Sequence, residues 1–250
     1  MASENLLNRI SDSLTLSNYE TALEFLRSSE YQFSKGISVE ISPLVKTAIL
    51  RHDVDFILNP VIPMASVEKK LNLPATYFFL TNAPKYNLIS DEGLGTIFEL
   101  RQMGHEIGIH LDSAGITNID ELKRALDRDL NFYRTYLNFE PKCFSYHMPS
   151  AEILQMNSKN LLGLTNYYAA DLFNQFNYLS DSNGYWRQHT LRSFLESSKG
   201  QNIYLLTHPV WWGKDEGTPR ERLKSSLERS DKNFEDWYEG VCKKYNRRYW

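Results

Sequence analysis

Short apolar runs alternate with longer segments of helical periodicity from Lys46 onward. The segments between the runs place apolar residues on one helical face, as in residues 63–71, 91–103 and 120–137, and a helix over 220–244 closes the chain. Strands that alternate with helices of this length predict βαβ units and a parallel sheet. The apolar runs, of which the fifth is the weakest, predict six buried strands over residues 47–55, 75–80, 105–110, 143–149, 165–171 and 202–208.

The first 40 residues follow a different pattern, with apolar residues at helical spacing from Leu6 to Leu14 and again from Tyr19 to Leu26. They predict an amphipathic helical arm that is broken between Ser11 and Ser17. No internal repeat, low-complexity tract or Gly/Ser linker divides the rest. We therefore expect an α/β fold with a helical arm over 1–40 and a single-domain (β/α) barrel or doubly wound sheet over 41–250. The first strand is not followed by a GxGxxG motif, which argues against a dinucleotide site.

Composition narrows the class of protein. The 250 residues are 42% hydrophobic, which is enough for a sizeable core, and the net charge of -3 argues against nucleic-acid binding. The two cysteines, Cys143 and Cys242, lie far apart and form no CxxC pair, as is usual in a reducing compartment. The sequence shows neither a secretory signal nor a run of about 18 apolar residues. We expect a cytoplasmic protein without a membrane span.

Polar side chains recur where the predicted strands end, which is where parallel α/β folds bind their ligands. In RHDVD, Asp53 and Asp55 project to the same side of one strand and repel each other unless a cation or a proton intervenes. One of them is expected to bind a metal and the other to act as a general base. By the same parity, His52 faces away from both.

Three later strands end on histidines. In GHEIGIHLD, His105 and His110 face opposite ways, so His105 is expected to pack or cap a helix, and His110 to bind a metal such as Zn²⁺. Asp112 shares the parity of His110 and is a further ligand, a partner of a ligand or a helix cap. In FSYHMPS, Pro149 stops the predicted strand and leaves His147 at its end. A role of His147 in the site and a purely structural role are about equally expected. His208 ends the last strand.

Two tryptophans, Trp211 and Trp212, follow His208. Their rings either stack on a sugar or pack the rim of the barrel, and the sequence favours neither interpretation. His189 lies in a polar context and is expected to be solvated.

In this order, the motifs resemble the polysaccharide deacetylase superfamily, carbohydrate esterase family 4, over roughly residues 46–212. That resemblance implies a distorted (β/α)7-type barrel that removes acetyl groups from N-acetylated sugars with a divalent metal, often Zn²⁺. It also implies Asp53 as the base, Asp55 and His110 as metal ligands and His208 as the general acid. YLSDSNGYWR and HPVWW resemble a subgroup that occurs with surface-polysaccharide synthesis genes.

Two positions depart from the family pattern. The second motif usually has another histidine four residues after His110, where this chain has Ala114. Either Asp112 or His147 is then expected to supply the third ligand, with His147 favoured. The third motif usually has an arginine where His147 stands, so the base is expected to lack its usual partner.

These observations predict a metal-dependent N-deacetylase acting on a nucleotide-linked or lipid-linked sugar precursor of O-antigen or capsule. Two alternatives stay open. One is a catalytically silent barrel that binds a glycan or a protein, and the other is a hydrolase of small amides.

Overall fold

The computed structural model describes residues 2–35, 45–156 and 158–248, and a single curled sheet lies at its centre. Its strands run in the order β6-β7-β5-β4-β3-β2-β9-β8, with β1 also paired to β2, and all pairs except β6–β7 are parallel. The strands are β1 (Gln32–Ser34), β2 (Thr47–Val54), β3 (Thr76–Phe79), β4 (Glu106–Asp112), β5 (Cys143–His147), β6 (Asn160–Leu161), β7 (Leu164–Asn166), β8 (Asn177–Ser180) and β9 (Ile203–Thr207).

Helices lie between most of the strands and cover the outer face of the sheet. They are α1 (Ala2–Arg9), α2 (Leu16–Ser28), α3 (Val61–Leu71), α4 (Asp91–Met103), α5 (Ile119–Tyr136), α6 (Ala151–Gln155), α7 (Ala170–Gln175), α8 (Leu191–Ser197) and α9 (Pro219–Lys244). This arrangement confirms the α/β class and the distorted barrel. The barrel is incomplete, since β6 and β8 end the strand order without pairing to each other in the described part of the chain.

Most predicted helices and strands coincide with observed ones, because the residues that begin and end them act on their neighbours in the chain. Asn118 caps α5 by accepting a hydrogen bond from the Glu121 amide at 3.0 Å. The predicted strand over 165–171 is wrong after Asn166. There the Asn166 side chain accepts a hydrogen bond from the Tyr168 amide at 2.8 Å, and this turn ends β7 before α7 begins. Strand β8 is only four residues long and was not predicted.

The two faces of the sheet bury separate apolar clusters. The larger cluster lies between the sheet and the helices. The smaller one fills the inside of the barrel with residues such as Ile49, Phe78 and Tyr204. Gly108 leaves room for it, because a Cβ at that position would lie 2.3 Å from the Phe78 ring. This apolar cluster fills the barrel beneath the polar side chains at the carboxyl ends of the strands.

The N-terminal arm packs onto the barrel. Leu7, Ile10, Leu23 and Leu26 are buried in the larger cluster together with barrel residues. The expected break in the arm is confirmed, since α1 ends at Arg9 and α2 begins at Leu16. The predicted boundary between residues 40 and 41 lies outside the described residues. Within the described ranges, no helix has the length and apolar character needed to cross a bilayer.

Candidate metal and acid-base site

The carboxyl ends of β2, β4, β5 and β9 meet at one cavity of about 470 Å³. Its walls include five of the six side chains for which the sequence predicted a metal or proton-transfer role, namely Asp53, Asp55, His110, His147 and His208, but not Asp112. Parallel strands in neighbouring register place their ends at one edge, which is why residues up to 155 positions apart in the chain converge here.

Asp55, His110 and His147 form the only group of three candidate ligands among the described residues, and their ligand atoms lie within 4.8 Å of one another. Asp55 Oδ1 is 3.0 Å from His110 Nε2 and 3.4 Å from His147 Nδ1. The same oxygen is buried and has no hydrogen bond of acceptable geometry. Burial would raise the pKa of Asp55, but the two histidines outweigh it and hold that pKa well below the usual value.

Ser145 orients His110 from the neighbouring strand. The two residues are register partners across β4 and β5, and His110 Nδ1 shares a hydrogen bond of 2.8 Å with Ser145 Oγ. When the hydroxyl accepts this bond, the proton stays on Nδ1 and the lone pair of Nε2 points at Asp55. Ser145 was not identified in the sequence, where FSYHMPS marked only its histidine.

The three donors fit a divalent metal. One carboxylate oxygen and two imidazole nitrogens form a set that Zn²⁺ commonly takes, and the unpartnered Asp55 oxygen provides an acceptor for a cation. His147 thus completes the group of three candidate ligands. Asp112 lies apart from the group, because its oxygens accept hydrogen bonds from Asn82 at 3.1 Å and from the Ala114 amide at 3.2 Å.

Asp53 has an arginine partner, although it is not the arginine of the third motif, whose position His147 occupies. Arg51, two residues earlier on the same strand, donates from Nε to Oδ1 at 2.8 Å and from Nη2 to Oδ2 at 2.7 Å. Arg51 is completely buried, and its guanidinium lies 4.6 Å from the centre of the Tyr168 ring. Burial would raise the pKa of Asp53, but Arg51 outweighs it and the pKa falls below its usual value.

His208 is held by Asp181, which the sequence analysis did not identify. Asp181 is fully buried at the end of β8, and its Oδ1 lies 2.6 Å from His208 Nδ1. It also accepts a hydrogen bond from the His208 backbone amide at 3.0 Å. Burial would lower the pKa of His208, but the Asp181 carboxylate outweighs it and the pKa rises to about 9. His208 is therefore an imidazolium at neutral pH.

The two tryptophans occupy different places. Trp211 lines the cavity and packs edge-on against Phe56, with ring centres 6.1 Å apart. Trp212 does not line this cavity, because it is buried behind His208, where its Nε1 donates to Asp181 Oδ2 at 2.7 Å.

The remaining histidines lie outside the cavity, as strand parity and sequence context predicted. His52 faces the helices and lies 2.6 Å from Glu68. His105 is buried and accepts a hydrogen bond from the Ala75 amide at 3.2 Å, and His189 is exposed.

Comparison with known proteins gave matches to solved structures alone. No protein-family model matches the chain, and no curated protein matches it. A chitin deacetylase from Colletotrichum lindemuthianum is 16% identical, with a TM-score of 0.46, over 73% of this chain and 81% of that one. A peptidoglycan deacetylase mutant from Bacillus subtilis is 12% identical, with a TM-score of 0.45, over 82% and 98%.

A third match is a pseudoenzyme of the CE4 family from Bacillus anthracis, which is 13% identical with a TM-score of 0.45 over 77% of this chain and 63% of that one. At these identities and TM-scores, the function has to be inferred from the side chains of the site.

Proposed function

We propose that this chain is a divalent-metal-dependent hydrolase that removes the acetyl group from an N-acetylated sugar. One observation carries the proposal. A candidate ligand set of Asp55, His110 and His147 lies in one cavity with an arginine-bound carboxylate and a histidine that is held by Asp181. Hydrolysis of an amide needs these three functions together, namely an electrophile, a base for water and an acid for the amine.

The ligand set is assigned to Asp55, His110 and His147. A divalent ion such as Zn²⁺ would supply Lewis acidity toward the amide carbonyl and the attacking water. Asp55 contributes the negative charge of the set. Ser145 keeps His110 in the orientation that aims Nε2 at the same point.

Asp53 is assigned as the general base. Its Oδ2 lies 3.6 Å from His110 Nε2, so a water beside the ligand set is within its reach. The two hydrogen bonds from Arg51 keep the carboxylate ionised and fix its orientation. A base of low pKa abstracts a proton weakly, which is why the Lewis acid has to make the water more acidic.

His208 is assigned as the general acid. Its Nε2 lies 3.7 Å from Asp55 Oδ2, facing the same cavity, while Nδ1 is held by Asp181. Because Asp181 raises the pKa of His208 to about 9, the proton is present at neutral pH and can pass to the leaving nitrogen. Asp53 is thus assigned as the deprotonated group and His208 as the protonated one.

The substrate class rests on the family resemblance and on Trp211, whose ring in the cavity wall suits packing against a sugar. A cavity of about 470 Å³ accepts a ligand of sugar size. A nucleotide-linked or lipid-linked precursor of surface polysaccharide is the form we propose. A panel of such sugars and of small amides, assayed for acetate and ammonia release, separates the sugar deacetylase from the small-amide hydrolase.

The metal site is tested with Asp55→Ala and His110→Ala. Both variants are expected to lose the bound metal, measured by elemental analysis, and to lose acetate release. His189→Ala removes an exposed histidine outside the cavity and is the matched control, which is expected to keep both. Full activity in either site variant would refute the assignment.

The same elemental analysis tests the silent barrel. A silent binding protein is expected to purify without metal and to release no acetate after metal is added. Metal at about one equivalent with acetate release would exclude it.

A further inference from the structure

The N-terminal arm touches the loop that follows His208. The Leu16 amide donates to the Gly213 carbonyl at 2.8 Å, and the Gly213 amide donates to the Leu14 carbonyl at 3.2 Å. These two bonds form a short parallel bridge between Thr15 and Gly213. The arm is thereby joined to the residue immediately after Trp212.

Side chains extend this contact to the general acid. Tyr19 in α2 is fully buried, and its ring centre lies 5.2 Å from that of Trp212. Trp212 donates to Asp181 Oδ2 at 2.7 Å, and Asp181 Oδ1 lies 2.6 Å from His208 Nδ1. Three successive contacts thus connect the arm with the imidazole of His208.

A second connection approaches His208 from the other side. The Tyr19 hydroxyl donates to Glu68 Oε1 at 2.6 Å, and the same oxygen lies 2.6 Å from His52 Nε2. His52 Nδ1 shares a hydrogen bond of 2.7 Å with the hydroxyl of Thr207, the residue before His208. Tyr19 therefore stands where the two connections meet.

We propose that the N-terminal arm is a working part of the active site and that Tyr19 is a positioning residue for His208. The inference rests on the proposed function, in which His208 delivers a proton to the leaving amine. An acid must be aligned with the nitrogen it protonates, and a displacement of about 1 Å costs on the order of 100-fold in rate. Tyr19 does not line the cavity and acts chiefly by holding Trp212 and, through it, Asp181.

The test compares leucine substitutions of two buried tyrosines from the same part of the chain. Tyr19→Leu removes the ring that contacts Trp212. Tyr31→Leu is the matched control, because Tyr31 is also buried and donates one hydrogen bond, at 3.0 Å to the Ser198 carbonyl on the other side of the arm. Tyr19→Phe keeps the ring and loses only the hydroxyl.

Two readouts are measured, one of them independent of activity. In Tyr19→Leu we expect kcat for acetate release to fall about tenfold or more while KM stays within about twofold. We also expect the indole proton of Trp212, assigned by its absence in Trp212→Phe, to exchange with solvent about tenfold faster in NMR spectra. Tyr31→Leu is expected to change neither, and Tyr19→Phe to restore most of kcat.

Equal kcat and equal Trp212 exchange in folded Tyr19→Leu and Tyr31→Leu would overturn the proposal. Should Tyr19→Leu not fold, Tyr19→Met fills most of the same volume without a ring and carries the same expectations. If the unmodified chain releases no acetate from any substrate, the proposed function fails. The Trp212 proton then still decides whether the arm holds Asp181.

Discussion

A buried carboxylate lies beside each face of strand β2, and the two carboxylates differ in what they contact. On the helix side, Glu68 is fully buried and its oxygens accept hydrogen bonds from Tyr19 and Tyr77, with His52 also bonded to one of them. On the cavity side, Asp55 Oδ1 is buried beside two histidines and has no hydrogen-bond partner. Both faces are ionic, but only one leaves an acceptor for a ligand.

This difference separates a structural cluster from a functional one. Buried polar atoms are nearly always satisfied, so an unsatisfied carboxylate oxygen among imidazoles is the arrangement expected of a cation ligand. A closed cluster such as that of Glu68 holds four elements together, since Tyr19, Glu68, His52 and Tyr77 come from α2, α3, β2 and β3. Changes on the cavity face are therefore expected to affect catalysis, and changes at Glu68 to affect stability first.

Asp53→Asn is expected to have the largest effect. The amide keeps the shape of the side chain but cannot accept a proton, so kcat should fall by about 10²–10⁴. Metal content should not change, because Asp53 is outside the ligand set. Acetate release measures kcat, and elemental analysis of the same sample measures the metal content. A loss of metal together with activity would mean that Asp53 is a ligand and not the base.

Glu68→Gln tests the closed face. The new amide would present a donor to groups that are themselves donors, and we expect the free energy of unfolding to fall by about 3 kcal/mol, measured by urea denaturation. Tyr31→Leu is a control for loss of one buried hydrogen bond. A variant as stable as the parent would show that the cluster contributes no stability.

The pH dependence of stability follows from the same carboxylate. Burial would raise the pKa of Glu68, but His52 outweighs it and the pKa lies below the usual 4.5. A lowered folded pKa means that this stability is present above about 4.5 and is lost as the pH falls through the folded value. The parent chain should therefore lose stability more steeply than Glu68→Gln below that pH.

Arg51→Lys is expected to have a smaller effect on the cavity face than Asp53→Asn. Lysine keeps the charge but cannot bind both oxygens of Asp53 in a fork, so the base loses its orientation. We expect kcat to fall about tenfold with metal content unchanged. Steady-state kinetics measure kcat. An unchanged kcat would mean that the positive charge beside Asp53 is sufficient without the two hydrogen bonds of the arginine.

Asp181→Asn is expected to lower kcat about tenfold, as Tyr19→Leu does, and in addition to change the pH profile. His208 has to be protonated to act as an acid, so kcat should decline as the pH rises through about 9. Because the Asp181 carboxylate is what raises this pKa, its removal should move the decline by about one pH unit or more to lower pH. An unmoved profile would assign the decline to another group.

The sequence was most informative where a pattern is local. Alternation within RHDVD and GHEIGIH placed Asp53, Asp55 and His110 on one side, and the structure has them in one cavity. The alternation in RHDVD also places Arg51 on the side of Asp53, and the structure has these two side chains in contact. The weak run at 165–171 failed because an asparagine turn overrides strand propensity after Asn166.

Contacts between side chains from distant parts of the chain cannot be predicted from such local patterns. Asp181 follows a four-residue strand with little pattern of its own, and only the pairing of that strand beside β9 brings it to His208. Helical periodicity covers both Tyr19 and Glu68, but no sequence pattern predicts the hydrogen bond between their side chains.

The amino-acid sequence by itself determined the order of strands and helices and the kinds of side chain at the strand ends, because alternation and capping act over a few residues. Only the tertiary structure decided that His147 stands beside Asp55, that Asp181 holds His208, and that the arm reaches Trp212. Those contacts join segments up to about 200 residues apart, and they form only when the sheet curls and its buried charges find partners.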